Sequence, residues 1–111
     1  MALLTSQGTI SIAGVAESAG EAASAGGDTF VNNGNTLIRI YNDHAADART
    51  ITIVSAKPCA LGSTHNKTVS IAAKATKYIY GFDVKRYNAT GDLVTMTYSS
   101  EADLTVWLYQ L

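Results

Sequence analysis

The chain of 111 residues contains one cysteine, one proline and few charged residues. A single cysteine, Cys59, excludes an internal disulfide. No catalytic-cysteine pattern surrounds it or His65, so a small, at least partly buried thiol is expected. Pro58 cannot donate to a β ladder and is expected outside one or at a sheet edge. No apolar stretch is long enough to span a bilayer, and the N-terminus lacks the basic start of a secretory signal, so we expect no membrane association.

Charged residues make up only 15% of the chain, and the formal net charge is −1. Soluble domains carry about 25% charged residues, so much of this surface must consist of neutral Thr, Ser, Asn, Ala and Gly. A neutral surface repels neighbouring molecules weakly, which favours a protein that works inside an assembly. A nucleic-acid partner would require a basic stripe, whereas the eight Lys and Arg residues are scattered. We therefore expect no nucleic-acid partner.

The most informative feature is a series of short segments in which apolar and polar residues alternate. Alternation at a period of two is typical of half-buried strands. The segments are TLIRIYN (36–42), TITIV (50–54), KTVSIA (67–72), TKYIYGF (76–82), LVTMTYS (93–99) and LTVWLYQ (104–110). Strands with one apolar face each form two sheets packed face to face or one sheet curled into a barrel. Of these we predict an all-β single domain, an antiparallel β-sandwich or jelly-roll-like body over residues 28–111. The short links 73–75 and 99–103 predict tight hairpins.

The alternation also assigns the faces of the strands. The predicted core consists of Ile, Val, Leu and Met residues on one face of each strand: Ile38, Ile40, Ile51, Ile53, Val69, Ile71, Val94, Met96, Leu104, Val106 and Leu108. Leu37, Arg39 and Tyr41 share the opposite face of the first strand, and Phe30 is expected to close one end of the core.

The last strand is apolar on both faces. Its second face, with Trp107 and Tyr109, is expected either beneath the N-terminal segment or a loop, or at a contact with another subunit. Trp and Tyr are enriched in subunit contacts because they supply large contact areas.

Residues 1–27 differ from the rest of the chain in composition. Ile10 and Ile12 alternate within GTISIAGV (8–15), which predicts a strand, and the following AESAGEAASAGG (16–27) contains no large apolar residue. Segments of small residues usually form extended or flexible connections. We therefore expect an extended N-terminal arm, an edge strand plus a flexible link, that can lie across a neighbouring subunit.

One group of titratable residues invites a catalytic or metal-binding interpretation. Asp43, His44 and Asp47 place an imidazole among carboxylates, but the only other histidine is His65. A zinc site requires three or four protein ligands, so a solvated turn is expected instead. The phosphate-binding, dinucleotide-binding and nucleophile-elbow motifs are absent from the sequence. We expect no enzyme, no metal and no cofactor.

A second group is aromatic. Tyr78, Tyr80 and Phe82 share one face of the fourth predicted strand, with Tyr87 nearby, and resemble a platform on which a sugar could stack. The other interpretation is packing in the core or at a subunit interface, with hydroxyl groups at the rim. Arg86 belongs to a small basic spot that could pair with an acidic patch on a partner.

Four segments carry a resemblance to a known family. They are GGDTFVNNGNTLIRIYN (26–42), TITIVS (50–55), TVSIAAKATKYIYGFDVKRYN (68–88) and GDLVTMTYSSEADLTVWLYQL (91–111). Their order resembles that of small tailed-phage proteins of the capsid decoration, or cement, family. Two prolines of the family pattern are absent from this chain. Val31 occupies the position of the proline that follows the Phe of the first loop, and Phe82 directly follows Gly81 where the pattern has a proline between them.

The resemblance implies a structural virion protein, made in the host cytoplasm and located on the capsid exterior. It implies a homotrimer that binds the major capsid protein, bridges its subunits at local symmetry axes and stabilises the shell. The alternatives are another virion accessory protein of the tail or head–tail junction, and a carbohydrate-binding β module. Candidate contacts with the capsid or between subunits are Ile10, Ile12, Phe30, Arg86, Tyr87, Trp107 and Tyr109.

Overall fold

The computed structural model describes residues 2–57 and 65–111, so the expectations for Pro58 and Cys59 lie outside the described residues. Within the described ranges the chain forms two β-sheets packed face to face in one all-β sandwich. The strands are β1 Ala2–Leu3, β2 Ser6–Thr9, β3 Glu21–Ala22, β4 Asp28–Val31, β5 Thr36–Asn42, β6 Arg49–Ile53, β7 Lys67–Ile71, β8 Thr76–Tyr80, β9 Leu93–Tyr98 and β10 Leu104–Gln110. A short helix, α1 Val84–Tyr87, lies between β8 and β9.

The strands predicted from alternation are β5 to β10, with small differences at their ends. In β5, buried and half-buried residues alternate along the whole strand. The predicted core is confirmed: its members are buried, apart from Val69, which is half-buried. Phe30 is fully buried and meets the ring of Phe82 edge-to-face at 5.1 Å between centroids. Each such side chain contributes roughly 1.5–3 kcal/mol when it is fully buried.

Consecutive strands mostly lie in opposite sheets. Sheet A has the order β1-β4-β9-β6-β7, and sheet B has the order β2-β10-β5-β8, with β3 also pairing with β10. The predicted hairpins at 73–75 and 99–103 are therefore wrong, because β7 and β9 belong to sheet A while β8 and β10 belong to sheet B. A link of three residues can span roughly 10 Å, which is the usual separation of packed sheets. Such links can connect the sheets as well as fold back within one.

Asn42 ties the two sheets together at the end of β5. Its side chain is fully buried, and its Nδ2 donates to the carbonyl oxygen of Ile71 at 3.1 Å and of Asp47 at 2.9 Å. Its Oδ1 accepts the backbone N–H of His44 at 3.0 Å. A buried amide is stable only when its polar atoms find partners, and here they hold β5 of sheet B against the end of β7 in sheet A.

The N-terminal segment contributes to both sheets. β1 pairs parallel with β4, and β2 pairs parallel with β10, so the sheets are mixed, whereas the sequence predicted antiparallel pairing. The remaining pairings between these strands are antiparallel. The strand predicted over 8–15 lies at Ser6–Thr9, and Leu4 is buried in the core. The expected interior of residues 28–111 is thus completed by a side chain from the N-terminal segment.

Asp28, the first residue of β4, holds the N-terminal segment against sheet A through its carboxylate. Its buried carboxylate accepts the backbone N–H groups of Ala2 at 3.3 Å and Ser24 at 3.2 Å, and the Tyr98 hydroxyl donates to it at 2.6 Å. Burial raises the pKa of Tyr98, and the hydrogen bond to Asp28 raises it further. Gly27, immediately before β4, has φ +103° and lies directly against the backbone of Met96 and Thr97 in β9.

Candidate interaction surfaces

The titratable residues of the β5–β6 loop bond to groups of that loop, of β5 and of the link between β7 and β8. His44 Nδ1 accepts the backbone N–H groups of Ala46 at 3.1 Å and Asp47 at 2.8 Å. Asp43 pairs with Lys74 at 2.6 Å, and hydrogen bonds from Lys74 and Tyr41 hold the pKa of its carboxyl below the ordinary value. Across residues 2–57 and 65–111, no three His, Cys, Asp or Glu side chains gather in a group that could hold a metal ion.

The outer face of sheet B carries most of the aromatic residues. Register places Arg39 of β5 between Trp107 of β10 and Tyr78 of β8. The adjacent row places Leu37 between Tyr109 and Tyr80. Residues directly opposite on neighbouring strands are close enough for their side chains to interact, so these six side chains form a continuous patch.

The N-terminal segment covers the β10 side of this patch. The Trp107 indole N–H donates to the carbonyl oxygen of Ser18 at 2.8 Å. A Cβ on Gly20 would lie 2.6 Å from the Trp107 ring, so only glycine permits this approach. Trp107 is 6% exposed and Tyr109 is 7% exposed. Of the two interpretations of the last strand, the structure favours coverage by the chain's own N-terminal segment.

The remaining predicted contact residues are divided between surface and interior. Ile10 and Ile12 lie on the loop 10–20 and are exposed, Ile12 completely. Phe30 is inside the core, so it cannot make an external contact in this conformation. Arg86 lies 5.3 Å from the centroid of the Tyr87 ring, and its Nη2 donates to the carbonyl oxygen of His65 at 2.8 Å. Tyr87 is half-buried and packs against the core.

The aromatic group of the fourth strand, interpreted either as an exposed platform or as core packing, is divided between the surface and the core. Tyr78 and Tyr80 are 65% and 55% exposed on the outer face. Phe82 is buried in the core instead, because β8 ends at Tyr80 and Gly81, with φ +91°, redirects the chain. Alternation could not reveal this because it assumes that the strand continues through the glycine. The two tyrosines therefore remain without Phe82 as a third platform member.

A cavity of about 430 Å³ lies between the N-terminal loop and the β8 side of the same face. Its lining residues are Ile10, Val15, Ala16, Glu17, Leu37, Arg39, Tyr78 and Tyr109. The Arg39 guanidinium is 4.1 Å from the centroid of the Trp107 ring, a cation–π distance. Its Nε is buried and has no hydrogen-bond partner.

Sequence reasoning placed Arg39 on the outward face of its strand but gave it no role. The available signal was a single cation between Leu37 and Tyr41 in a face of otherwise apolar and aromatic residues. That signal becomes meaningful only when β10 is known to be the neighbour of β5, because Trp107 then lies directly beside Arg39.

Comparison of the chain with protein-family models, with curated proteins and with solved structures finds no match. In the part of the chain that the structure describes, no helix has the length and apolar character needed to cross a bilayer.

Proposed function

We propose that this protein is a structural component of a phage virion, a capsid decoration protein that binds the outside of the head and bridges major capsid subunits. The resemblance of residues 26–111 to that family supports the proposal. The structural observation that carries it is Ile12, a large apolar side chain fully exposed on the loop 10–20. That loop is held to the body at both ends, by the Ile10 N–H bonded to the Gln110 carbonyl at 2.6 Å and by the Trp107–Ser18 bond.

An anchored loop is well suited to contact a partner. Because its backbone is already bonded to the sandwich, little conformational freedom is lost when Ile12 is buried against another surface. The low charge of the chain matches the composition expected at the centre of an interface, where charged residues are depleted. Many copies that each bind weakly can together stabilise a shell through multivalency.

The sheet edges provide a second means of association. β7 ends sheet A and β8 ends sheet B, so one side of each strand pairs with no other strand among the described residues. An open edge can accept a strand from another chain. Pairing of such an edge with a neighbouring copy would produce a homo-oligomer such as the proposed homotrimer, and light scattering of the purified protein tests it. A monomer at the concentrations used for shell binding would count against the trimer.

The test of the function is binding of the full chain to phage heads that lack it. Ile12→Asp should weaken co-sedimentation with such heads by roughly tenfold or more, because burying an isoleucine contributes roughly 1.5–3 kcal/mol. Ala45→Asp, which adds the same charge to the exposed β5–β6 loop, is the control and should bind like the unmodified chain. Neither substitution should change the melting temperature.

Two results would contradict parts of the proposal. Equal binding of Ile12→Asp and the unmodified chain would show that the loop 10–20 is not part of the contact. Failure of the unmodified chain to bind any head would contradict the proposed function. Location of the protein at the tail or head–tail junction in a cryo-EM map would favour the alternative virion role. Deleting residues 1–25 is a poorer test, because the deletion also removes Leu4 from the core and uncovers Trp107.

A further inference from the structure

The cavity on the outer face of sheet B has the size of a small-ligand site. Its volume of about 430 Å³ lies within the range of about 300–1,000 Å³ that is typical of such sites. One wall is the N-terminal loop with Val15 and Glu17, and the opposite side is formed by Arg39 and Tyr78 of adjacent strands. The side formed by the sheet therefore holds Arg39 and Tyr78 in fixed positions, and the loop contributes Glu17.

Arg39 offers hydrogen bonds that the chain itself does not use. Among the described residues, its guanidinium donates no hydrogen bond and forms no ion pair, and its Nε is buried without a partner. Stacking over the Trp107 ring at 4.1 Å fixes the position of the planar group. Unpaired donors of a half-buried guanidinium are unfavourable, so a ligand or water in the cavity that accepts from its terminal N–H groups is stabilised, while the enclosed Nε stays unpaired.

Glu17 and Tyr78 supply the complementary chemistry across the cavity. The Glu17 carboxylate only accepts hydrogen bonds, whereas the Arg39 guanidinium only donates them. Tyr78 is 65% exposed and presents an aromatic ring beside Arg39. The remaining walls, from Ile10, Val15, Ala16 and Leu37, are apolar.

We propose that this cavity binds one residue of a neutral saccharide. A sugar hydroxyl both donates and accepts, so neighbouring hydroxyls can accept from Arg39 and donate to Glu17 at the same time. The apolar C–H face of the sugar ring packs against Tyr78. The charges of Arg39 and Glu17 cancel, which favours a neutral polyol over a free anion.

This site differs from the aromatic platform that the sequence predicted. It uses Tyr78 but neither Tyr80 nor Tyr87, which do not line the cavity. Tyr80 instead lines a separate depression, and the other residues that line this depression include Ile79, Phe82 and Tyr87. Tyr80 is therefore a matched control: it is on the same strand, on the same face, of the same residue type and similarly exposed.

The experiment is a chemical-shift titration of the full chain with neutral mono- and disaccharides of glucose, galactose, mannose and N-acetylglucosamine, at millimolar concentrations. Binding should perturb the backbone amides of Glu17, Arg39 and Tyr78 and the indole N–H of Trp107. Tyr78→Ala should weaken binding by about fivefold to tenfold, and Tyr80→Ala should leave it unchanged. Arg39→Lys, which keeps the charge but loses the planar fork, should also weaken binding.

Three outcomes would overturn the proposal. The first is the absence of perturbation at the cavity by every saccharide of the panel. The second is an equal loss of binding in Tyr78→Ala and Tyr80→Ala. The third is full displacement of the saccharide by acetate or phosphate at equal concentration, which would mark Arg39 as a simple anion site. Folding of each variant is checked by the melting temperature, so a loss of binding in a folded variant reports on the site.

Discussion

Replacement of Gly27 by alanine should destabilise the sandwich strongly, and the structure supplies an internal control for the size of the effect. Gly27 has φ +103°, and a Cβ there would overlap the backbone carbonyl oxygen of Met96 and lie 3.2 Å from Thr97 Cα. Gly26 has φ +81°, and a Cβ there would meet nothing within 4 Å. The two neighbouring glycines thus share the conformational penalty, but only Gly27 has the steric one.

The magnitudes follow from these two terms. Positive φ costs a residue with a Cβ about 1–2 kcal/mol, which applies to both positions. The overlap at Gly27 adds about 1–3 kcal/mol, because the obstructing atoms belong to the backbone of β9 and cannot rotate away. Gly26→Ala should therefore lose about 1–2 kcal/mol and Gly27→Ala about 2–5 kcal/mol. Since a domain of this size is stable by about 5–15 kcal/mol, the second variant can lose a large part of its stability.

Urea denaturation followed by far-ultraviolet circular dichroism measures both values. The free energy of unfolding should decrease in the order unmodified chain, Gly26→Ala, Gly27→Ala, with similar dependence on urea concentration. Equal losses in the two variants would refute the close approach of residue 27 to β9 and with it the described crossing of the N-terminal segment into sheet A. A stabilised Gly26→Ala would refute the positive φ at that position.

Two further predictions concern aromatic residues. Gly20→Ala should push the loop 10–20 away from Trp107, the single tryptophan, and shift the tryptophan fluorescence to longer wavelength. Gly14→Ala is the control, because Gly14 also has positive φ but open space around it, and it should leave the fluorescence unchanged. An unshifted spectrum in both variants would contradict the covering of the indole. Burial raises the pKa of Tyr98 above the ordinary tyrosine value of about 10, so the unfolded chain loses this proton first. The stability from this group is present below pH of about 10 and is lost as the pH rises from there towards the raised pKa, by at most about 1.4 kcal/mol per pH unit. Tyr98→Phe should show a shallower alkaline decline in urea unfolding than Tyr78→Phe, and identical declines would contradict the buried hydroxyl.

Much of the sandwich could be predicted from the sequence because its signal is local. Alternation within β5 and β10 depends only on neighbouring residues, so it identified the strands and their buried faces. Pairing of the strands has no such local signal. The link 73–75 has a length that suits either a hairpin or a crossing between sheets, and only the packing of the whole domain decides between them.

The candidate sites depended on the same non-local information. Alternation places Phe82 on the same face as Tyr78 and Tyr80 only if the strand continues through Gly81, where the structure interrupts the period. Ile10 and Ile12 were assigned to a strand, whereas β2 ends at Thr9 and both residues lie on the following loop. The cavity at Arg39 combines residues from the N-terminal loop, β5, β8 and β10, so no window of the sequence contains it.

The central place of β10 has a consequence for biosynthesis. This strand, the last of the described strands along the chain, is the shared hydrogen-bonding neighbour of β5 and of the N-terminal strands β2 and β3. On a translating ribosome, β2 and β3 must therefore wait without their partner strand until nearly all of the described chain has emerged, whereas the partner of β1 is β4, which emerges early. During that interval the edge of β5 that later pairs with β10 is unpaired and can bind a strand of another molecule. Such unpaired edges make nascent β proteins prone to aggregation. Rapid release, or a chaperone that holds residues 6–22, should matter more for the yield of this protein than for its final stability.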